Sequence, residues 1–344
     1  MMALRASAFR WFSQGFLHKQ FLSNRHTLRT QQRCGYRKVS KKNVVEETGP
    51  VNVAPSRSFS SLVKPFVFTV GFTGCSFAGA AIWQYENVKS RINNYSHDNN
   101  AKWLDKIRPQ KHGDLRKQVN QWWNSLSEGN KTVTGIIAVN VLVFCCWRVP
   151  FLRRFGINYF TSNPSSKSLC WPMLLSTFSH YSPLHLAVNM YVLWGVSSTI
   201  INTMGKEQFL AFYLSAGVIS SFASYVSKIA TGRLGTSLGA SGAILAVIAA
   251  VFTKSPEAKA ALLFLPIFNL TCGTALKAIV TFDTMGMLLG WRIFDHAAHL
   301  GGALFGIWYI LYGHQKIWKN RETLVRRWHD FRSRRPGSGG NGPI

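Results

Sequence analysis

The sequence predicts an all-α polytopic membrane protein, arranged as one helix followed by a core of six. Three observations carry this. Of 344 residues 47% are hydrophobic and only 15% carry charge, against about 25% in an ordinary soluble chain. Forty Lys and Arg against thirteen Asp and Glu give a formal net charge of +27, yet the centre of the chain is nearly charge-free and the basic residues crowd its ends. Seven apolar segments alternate with polar connections between residues 65 and 312. A soluble nucleic-acid binder spreads Lys and Arg over a groove or a helix face. This distribution excludes that class, so no nucleic-acid partner is expected, and the basic flanks fit a membrane protein instead.

Residues 1–45 hold Arg5, Arg10, Lys19, Arg25, Arg29, Arg33, Arg37, Lys38, Lys41 and Lys42, with no acid before Glu46. Phe9, Phe12, Phe16 and Leu17 recur among them at near-helical spacing. A basic, acid-free, amphipathic leader has the composition of a mitochondrial transit peptide, drawn toward the matrix by the membrane potential. The alternative is a disordered basic arm on a cytosolic membrane protein. Residues 46–64, rich in Ser and Pro from Pro50 to Ser61, read as a linker and processing region. Residues 65–83 (PFVFTVGFTGCSFAGAAIW) carry no charge and are long enough for an additional transmembrane helix. Gly71, Gly74, Ala78 and Ala81 form a small-residue ridge on it, suited to helix packing.

Residues 84–130 form a polar linker of mixed charge, with some helix expected around Trp122 and Trp123. The six-helix core is placed at 131–313. Its spans are Val133–Trp147, Leu184–Ile201, Phe209–Ser227, Ser237–Phe252, Gly273–Gly290 and Asp295–Tyr312. Arg148–Cys170 is a long loop with aromatics and a basic pair, and Ala260–Phe268, broken by Pro266, reads as a half-buried loop. Residues 314–344 form a basic tail ending in RRPGSGGNGPI, a composition that stays disordered. Cys34, Cys75, Cys145, Cys146, Cys170 and Cys272 include no C-x-x-C and lie mostly in apolar stretches. They read as buried free thiols, with neither a zinc site nor a disulfide framework expected.

A polar or ionisable side chain inside hydrocarbon is expensive, so each one asks for an explanation. His185 and Asn189 lie four apart in SPLHLAVNMYVLW, on one helix face. Ser241 sits in LGASGAI between Gly239 and Gly242, and His299 in DHAAHLGGALFG ahead of Gly302 and Gly306. Together these residue types suit nucleophilic hydrolysis: a neutral histidine near pH 7 takes the proton of a serine hydroxyl. Glycines beside Ser241 let a substrate backbone approach. Gly302 and Gly306 let the last helix press close to its neighbour and bring His299 to the hydroxyl. Backbone N–H groups near Ser241, with His185 and Asn189, could serve as oxyanion donors. No acid is positioned by sequence to complete a triad, so a Ser–His dyad is the simplest proposal. Each feature alone has a plainer reading, since Ser, a His–Asn pair and a Gly-x-x-x-Gly step all serve helix packing. Their coincidence on three helices favours chemistry. His296 and Asp295 are expected to cap the last helix or face water, and His180 to be interfacial; Asp283 could face a cavity.

WPMLLSTFSHYSPLHLAVNMYVLWG, LGASGAI and DHAAHLGGALFG together resemble the rhomboid family of intramembrane serine proteases. They stand in that family's order, on the second, fourth and sixth helices of its core. The extra N-terminal helix and leader are similar to its mitochondrial branch, the presenilin-associated rhomboid-like proteases. The resemblance covers about residues 130–313 by motif. It implies Ser241 as nucleophile, His299 as general base and acid, and His185, Asn189 and Gly239 as oxyanion and substrate-stabilising groups. It further implies a multi-pass serine endopeptidase of the mitochondrial inner membrane, working without cofactor or metal. Its partners would be transmembrane protein substrates within the lipid bilayer, with roles in protein processing, mitochondrial dynamics and mitophagy signalling. The family often carries Trp-Arg just before its second core helix; here Trp171 precedes Pro172, and Trp147–Arg148 comes too early.

Competing classes leave different traces. A membrane metalloprotease needs H-E-x-x-H and a carboxylate-based intramembrane protease needs G-x-G-D; neither string occurs. A non-catalytic rhomboid relative that binds and escorts transmembrane helices usually loses the Ser or the His, and this chain keeps both. A transporter or channel with a polar cavity would leave Ser241 unreactive. Charge also poses a topology question. The positive-inside rule puts the linker and tail in the matrix, whereas a matrix-bound leader followed by seven spans puts them in the intermembrane space.

Overall fold

A computed structural model describes residues 59–97, 114–260 and 270–333. The transit-peptide reading, residues 46–58 of the linker, the loop beyond Ala260 and the RRPGSGGNGPI end lie outside the described residues. Those described form helices and short connections, with two isolated β-bridges, Ser162–Ser237 and Lys259–Thr271, and no strand. In chain order the α-helices are α1 (Val63–His97), α2 (Asp114–Ser125), α3 (Glu128–Cys146), α4 (Arg153–Tyr159), α5 (Cys170–Leu175) and α6 (Pro183–Met204). They continue with α7 (Lys206–Thr231), α8 (Ser241–Lys254), α9 (Cys272–Leu289), α10 (His296–Trp308) and α11 (Glu322–Ser333). A π-helical stretch, Tyr309–Trp318, prolongs α10.

Local chemistry sets the helix ends. Ser127, Ser182, Thr271 and Asp295 each accept a hydrogen bond from a backbone N–H three residues on, satisfying a donor the helix itself leaves unpaired. Gly232 and Gly290 close α7 and α9 in the left-handed conformation. Among the described residues five helical stretches are long and apolar enough to cross a membrane: Phe59–Asn93, Glu128–Cys146, Pro183–Met204, Lys206–Thr231 and Cys272–Leu289. Helices α8 and α10 are shorter, at 14 and 13 residues, and pack as an inner pair.

Helix α7 is the central pillar, packed by α1, α8 and α10. Its Phe209, Phe212, Tyr213 and Ala216 are fully buried in one apolar core with Leu193 and Ile200 of α6 and Ala246 and Val247 of α8. Helix α10 presses on α8 so closely that a Cβ at Gly302 would collide with the Gly242 carbonyl oxygen, and one at Gly306 with that of Ala246.

Three expectations are corrected. The glycines of the α1 ridge are not its contact surface: a Cβ at Gly71 or Gly74 would meet nothing within 4 Å. Ala81 of the expected ridge does make the contact, together with Phe77 and Ala80, Phe77 stacking on Tyr309 with ring centroids 5.2 Å apart. Helix α1 also runs past the expected end of its span. Its 35 residues reach ~50 Å at ~1.5 Å per residue, beyond a hydrocarbon core of ~30 Å. The extension has a partner in the tail, which is helical to Ser333, ahead of the RRPGSGGNGPI end. Trp328 Nε1 donates to Glu86 Oε1 at 2.8 Å, Tyr85 Oη and His329 Nδ1 lie 2.6 Å apart, and Arg332 pairs with Glu86. The thiols of Cys75, Cys145, Cys146, Cys170 and Cys272 are free, but only Cys272 is buried; Cys75 and Cys145 lie exposed on apolar helix faces.

Candidate active site

Ser241 is the first residue of α8, and the loop before it is held from two sides. Gly239 N–H donates to the Ser176 carbonyl at 2.9 Å, and Ala240 N–H to His180 Nε2 at 3.4 Å. Gly239 has φ +128°, a region that favours glycine. A Cβ there would sit 2.9 Å from His185 Cε1, so the imidazole rests directly on the glycine. No side chain caps α8. Its first N–H groups have no intrahelical partner and are available to an anion.

The Ser241 hydroxyl meets His299 of α10, Oγ and Nε2 lying 2.9 Å apart. The other ring nitrogen of His299, Nδ1, lies 3.3 Å from Oδ1 of Asp283 on α9. With Nδ1–H donating to the carboxylate, Nε2 carries the lone pair that accepts from the serine. Asp283 is 3% exposed. It also takes a second imidazole: His296 Nδ1 lies 2.7 Å from the same oxygen. Three helices thus bring together an acid, a base and a hydroxyl in the order a serine hydrolase uses.

The structure also places the remaining sequence candidates. His185 packs against Gly239 and, with ring centroids 5.0 Å apart, against His180. Asn189 Nδ2 donates to the His185 carbonyl at 2.8 Å; this engages one of the amide's two N–H groups. His180 is not interfacial but fully buried, because it braces the loop that leads into Ser241. His296 does not face water. It is 3% exposed, lies over Gly286, and is walled by Phe282, Trp291 and Phe294 with ring centroids 5.5 to 6.0 Å away. Asp295 does cap α10, accepting from Ala298 N–H at 3.1 Å. It is also tied to Ser224 Oγ at 2.5 Å, to Ser237 Oγ, and to Lys228 Nζ at 3.5 Å. The Lys228 charge is thereby neutralised in a half-buried position, and the start of α10 is pinned to α7 and to the loop before Ser241.

Asp283 and His296 are the site members that sequence reasoning did not connect. The available signal was a carboxylate isolated in VTFDTMGML, since an acid at membrane depth needs a partner. Nothing in local spacing names that partner.

Comparison with known proteins adds an independent line. The Rhomboid domain family model matches residues 167–316. The chain is 60% identical over 342 residues to the mouse "Presenilin-associated rhomboid-like protein, mitochondrial", covering 93% of this chain and 90% of that protein. The human protein of the same name is 58% identical over 340 residues, with the same coverage. "Rhomboid protease GluP" of Bacillus subtilis is 30% identical over 136 residues, 40% of this chain and 24% of that protein.

Proposed function

Because this chain belongs to the rhomboid family, in its presenilin-associated rhomboid-like branch, we propose that it is an intramembrane serine endopeptidase of the mitochondrial inner membrane. The observation that carries the proposal is the contact of Ser241 Oγ with His299 Nε2 at 2.9 Å, backed by Asp283 at 3.3 Å.

In the mechanism, His299 Nε2 takes the proton of Ser241 as Oγ attacks the scissile carbonyl. The resulting oxyanion is met by the uncapped N–H groups at the start of α8 and by donors from His185 and Asn189. His299 returns the proton to the leaving amine, and water then hydrolyses the acyl-enzyme by the same route in reverse roles. Asp283 keeps the proton of His299 on Nδ1 and stabilises the imidazolium as it forms. The dyad of the sequence reading becomes an acid-supported one.

The substrate is a transmembrane segment whose helix is weak near the cut, because hydrogen-bonded helical amides are shielded from attack. It enters sideways past α9, the helix that carries Asp283, Met285 and Met287. The biological roles proposed are processing of inner-membrane proteins, with effects on mitochondrial dynamics and mitophagy signalling.

The test is cleavage of a transmembrane substrate by purified protein, with fluorophosphonate labelling in parallel. Wild type is expected to cleave and to label at Ser241. Ser241→Ala and His299→Ala are expected to do neither while remaining folded. Cleavage by Ser241→Ala would end the serine mechanism. A wild type that binds transmembrane helices without labelling would be an escort protein.

A further inference from the structure

Asp283, His296 and His299 each place a ligand atom within 4.8 Å of the other two, and both imidazoles touch Asp283 Oδ1 through Nδ1. We propose that this triangle is an inhibitory zinc site, in which Zn²⁺ held by Asp283, His296 and His299 switches the enzyme off. The inference rests on the serine-protease reading above.

The donor set comes first. Two imidazoles and one carboxylate form a borderline N₂O set of the kind zinc takes, whereas Mg²⁺ and Ca²⁺ want oxygen. His296 and His299 stand three apart on α10, so both rings leave the same helix face, and the carboxylate comes from neighbouring α9. Bundles build metal sites in this way, from an i, i+3 pair and side chains of facing helices. The sequence shows no metal motif because the third ligand arrives from another helix.

Geometry comes second. Tetrahedral ligands ~2.0–2.1 Å from zinc stand about 3.3 Å apart. The Asp283–His299 pair is already at 3.3 Å, the Asp283–His296 pair at 2.7 Å needs to open by about half an ångström, and the two imidazole nitrogens, within 4.8 Å of each other, need to close onto the ion. His296 is held in place by the rings of Phe282, Trp291 and Phe294. Its Nε2 is buried without a hydrogen-bond partner among the described residues, so no donor there holds the ring in the Nδ1–H form against a cation. The His299 side chain is 14% exposed, which gives an ion a way in and leaves the fourth position to water.

Inhibition follows from the tautomer. A neutral imidazole carries one proton, and a metal on Nδ1 requires that proton on Nε2. His299 then offers Ser241 an N–H where catalysis needs a lone pair. The base is lost with no change in net proton count, and the Asp283 carboxylate is taken up by the metal as well.

Binding is tested on full-length Ser241→Ala protein in lipid nanodiscs, titrated calorimetrically with zinc chloride. That variant keeps all three ligands, so a one-site isotherm is expected. Adding His296→Asn or Asp283→Asn should weaken it at least tenfold, and two different replacements guard against one failing to fold. Unchanged affinity in a folded double variant would overturn the site. The consequence is tested on wild type: zinc should block fluorophosphonate labelling of Ser241, and a chelator should restore it. Zinc that binds at the triangle and leaves labelling intact overturns the switch. Absence of labelling in metal-free protein would instead refute the protease reading, and the calorimetry would remain interpretable.

Discussion

Replacing Asp283 by Asn keeps the side chain's shape and removes the charge that holds the His299 proton on Nδ1. An amide can present either its oxygen or its NH₂ to the ring, and the second choice puts the proton on Nε2. The expected result is a fall in kcat on the order of 10²–10⁴ with a near-unchanged KM, since the carboxylate acts on the base and not on substrate binding. Steady-state cleavage at several pH values checks this, and a loss confined to KM would remove Asp283 from the relay. Asn189→Ala removes one donor and is expected to cost on the order of 10²–10³ in kcat. A loss of only a few-fold would mean that its bond to the His185 carbonyl is its whole role. The meeting of Ser241 with His299 was legible in the sequence because polar groups in apolar segments are costly and so conspicuous. Asp283 was conspicuous for the same reason, yet its partner depends on how α9 crosses α10, which no local spacing encodes. His180 and His296 were misread because a position next to a helix start suggests water. Here both starts are folded inward.

At the scale of elements, the same residue type means different things on α1 and α10. A Cβ at Gly302 runs into the Gly242 carbonyl, part of a rigid backbone, while one at Gly71 meets open space. Gly302→Ala therefore has to separate α10 from α8 and carry His299, three residues earlier, away from Ser241. Overpacking of this kind costs about 1–3 kcal/mol. Gly302→Ala should lower Tm by several degrees and remove most cleavage, whereas Gly71→Ala should leave both nearly unchanged. Thermal unfolding and cleavage of the two variants side by side decide it, and equal behaviour would place the helix contact elsewhere. Gly302–Gly306 and Gly74–Ala78 are both four-residue small-residue steps and look alike as sequence. What separated them was the neighbour, and sequence periodicity gives a face without giving what it faces. Helix existence was legible from apolar runs; the overrun of α1 to His97 and the helical tail were not, because each is stabilised by the other.

At the scale of the whole molecule, that mutual packing fixes which parts share a compartment. Arg332 and Trp328 of α11 hold Glu86 on the α1 extension, Asn87 donates to Glu207 at the start of α7, and Lys206 pairs with Glu128 at the start of α3. Lys254, the last residue of α8, reaches Thr203 at this same end. Linker, tail and the α6–α7 turn therefore face one side, and Ser241, at the other end of α8, opens toward the opposite side. Charge counting puts the tail in the matrix, but a leader of the proposed transit-peptide kind would be drawn in first, by the potential, before any later loop can be sorted. If the path has the seven spans the sequence predicts, the tail is expected in the intermembrane space and the proposed active site would take its water from the matrix. In mitoplasts, added protease should remove epitopes on the tail and on the 98–113 segment together. A membrane-impermeant fluorophosphonate should label Ser241 only after the inner membrane is opened. Loss of one epitope without the other would contradict the α1–α11 packing. Protection of both, with Ser241 labelled in sealed mitoplasts, would give the positive-inside orientation and place the chemistry on the intermembrane-space side.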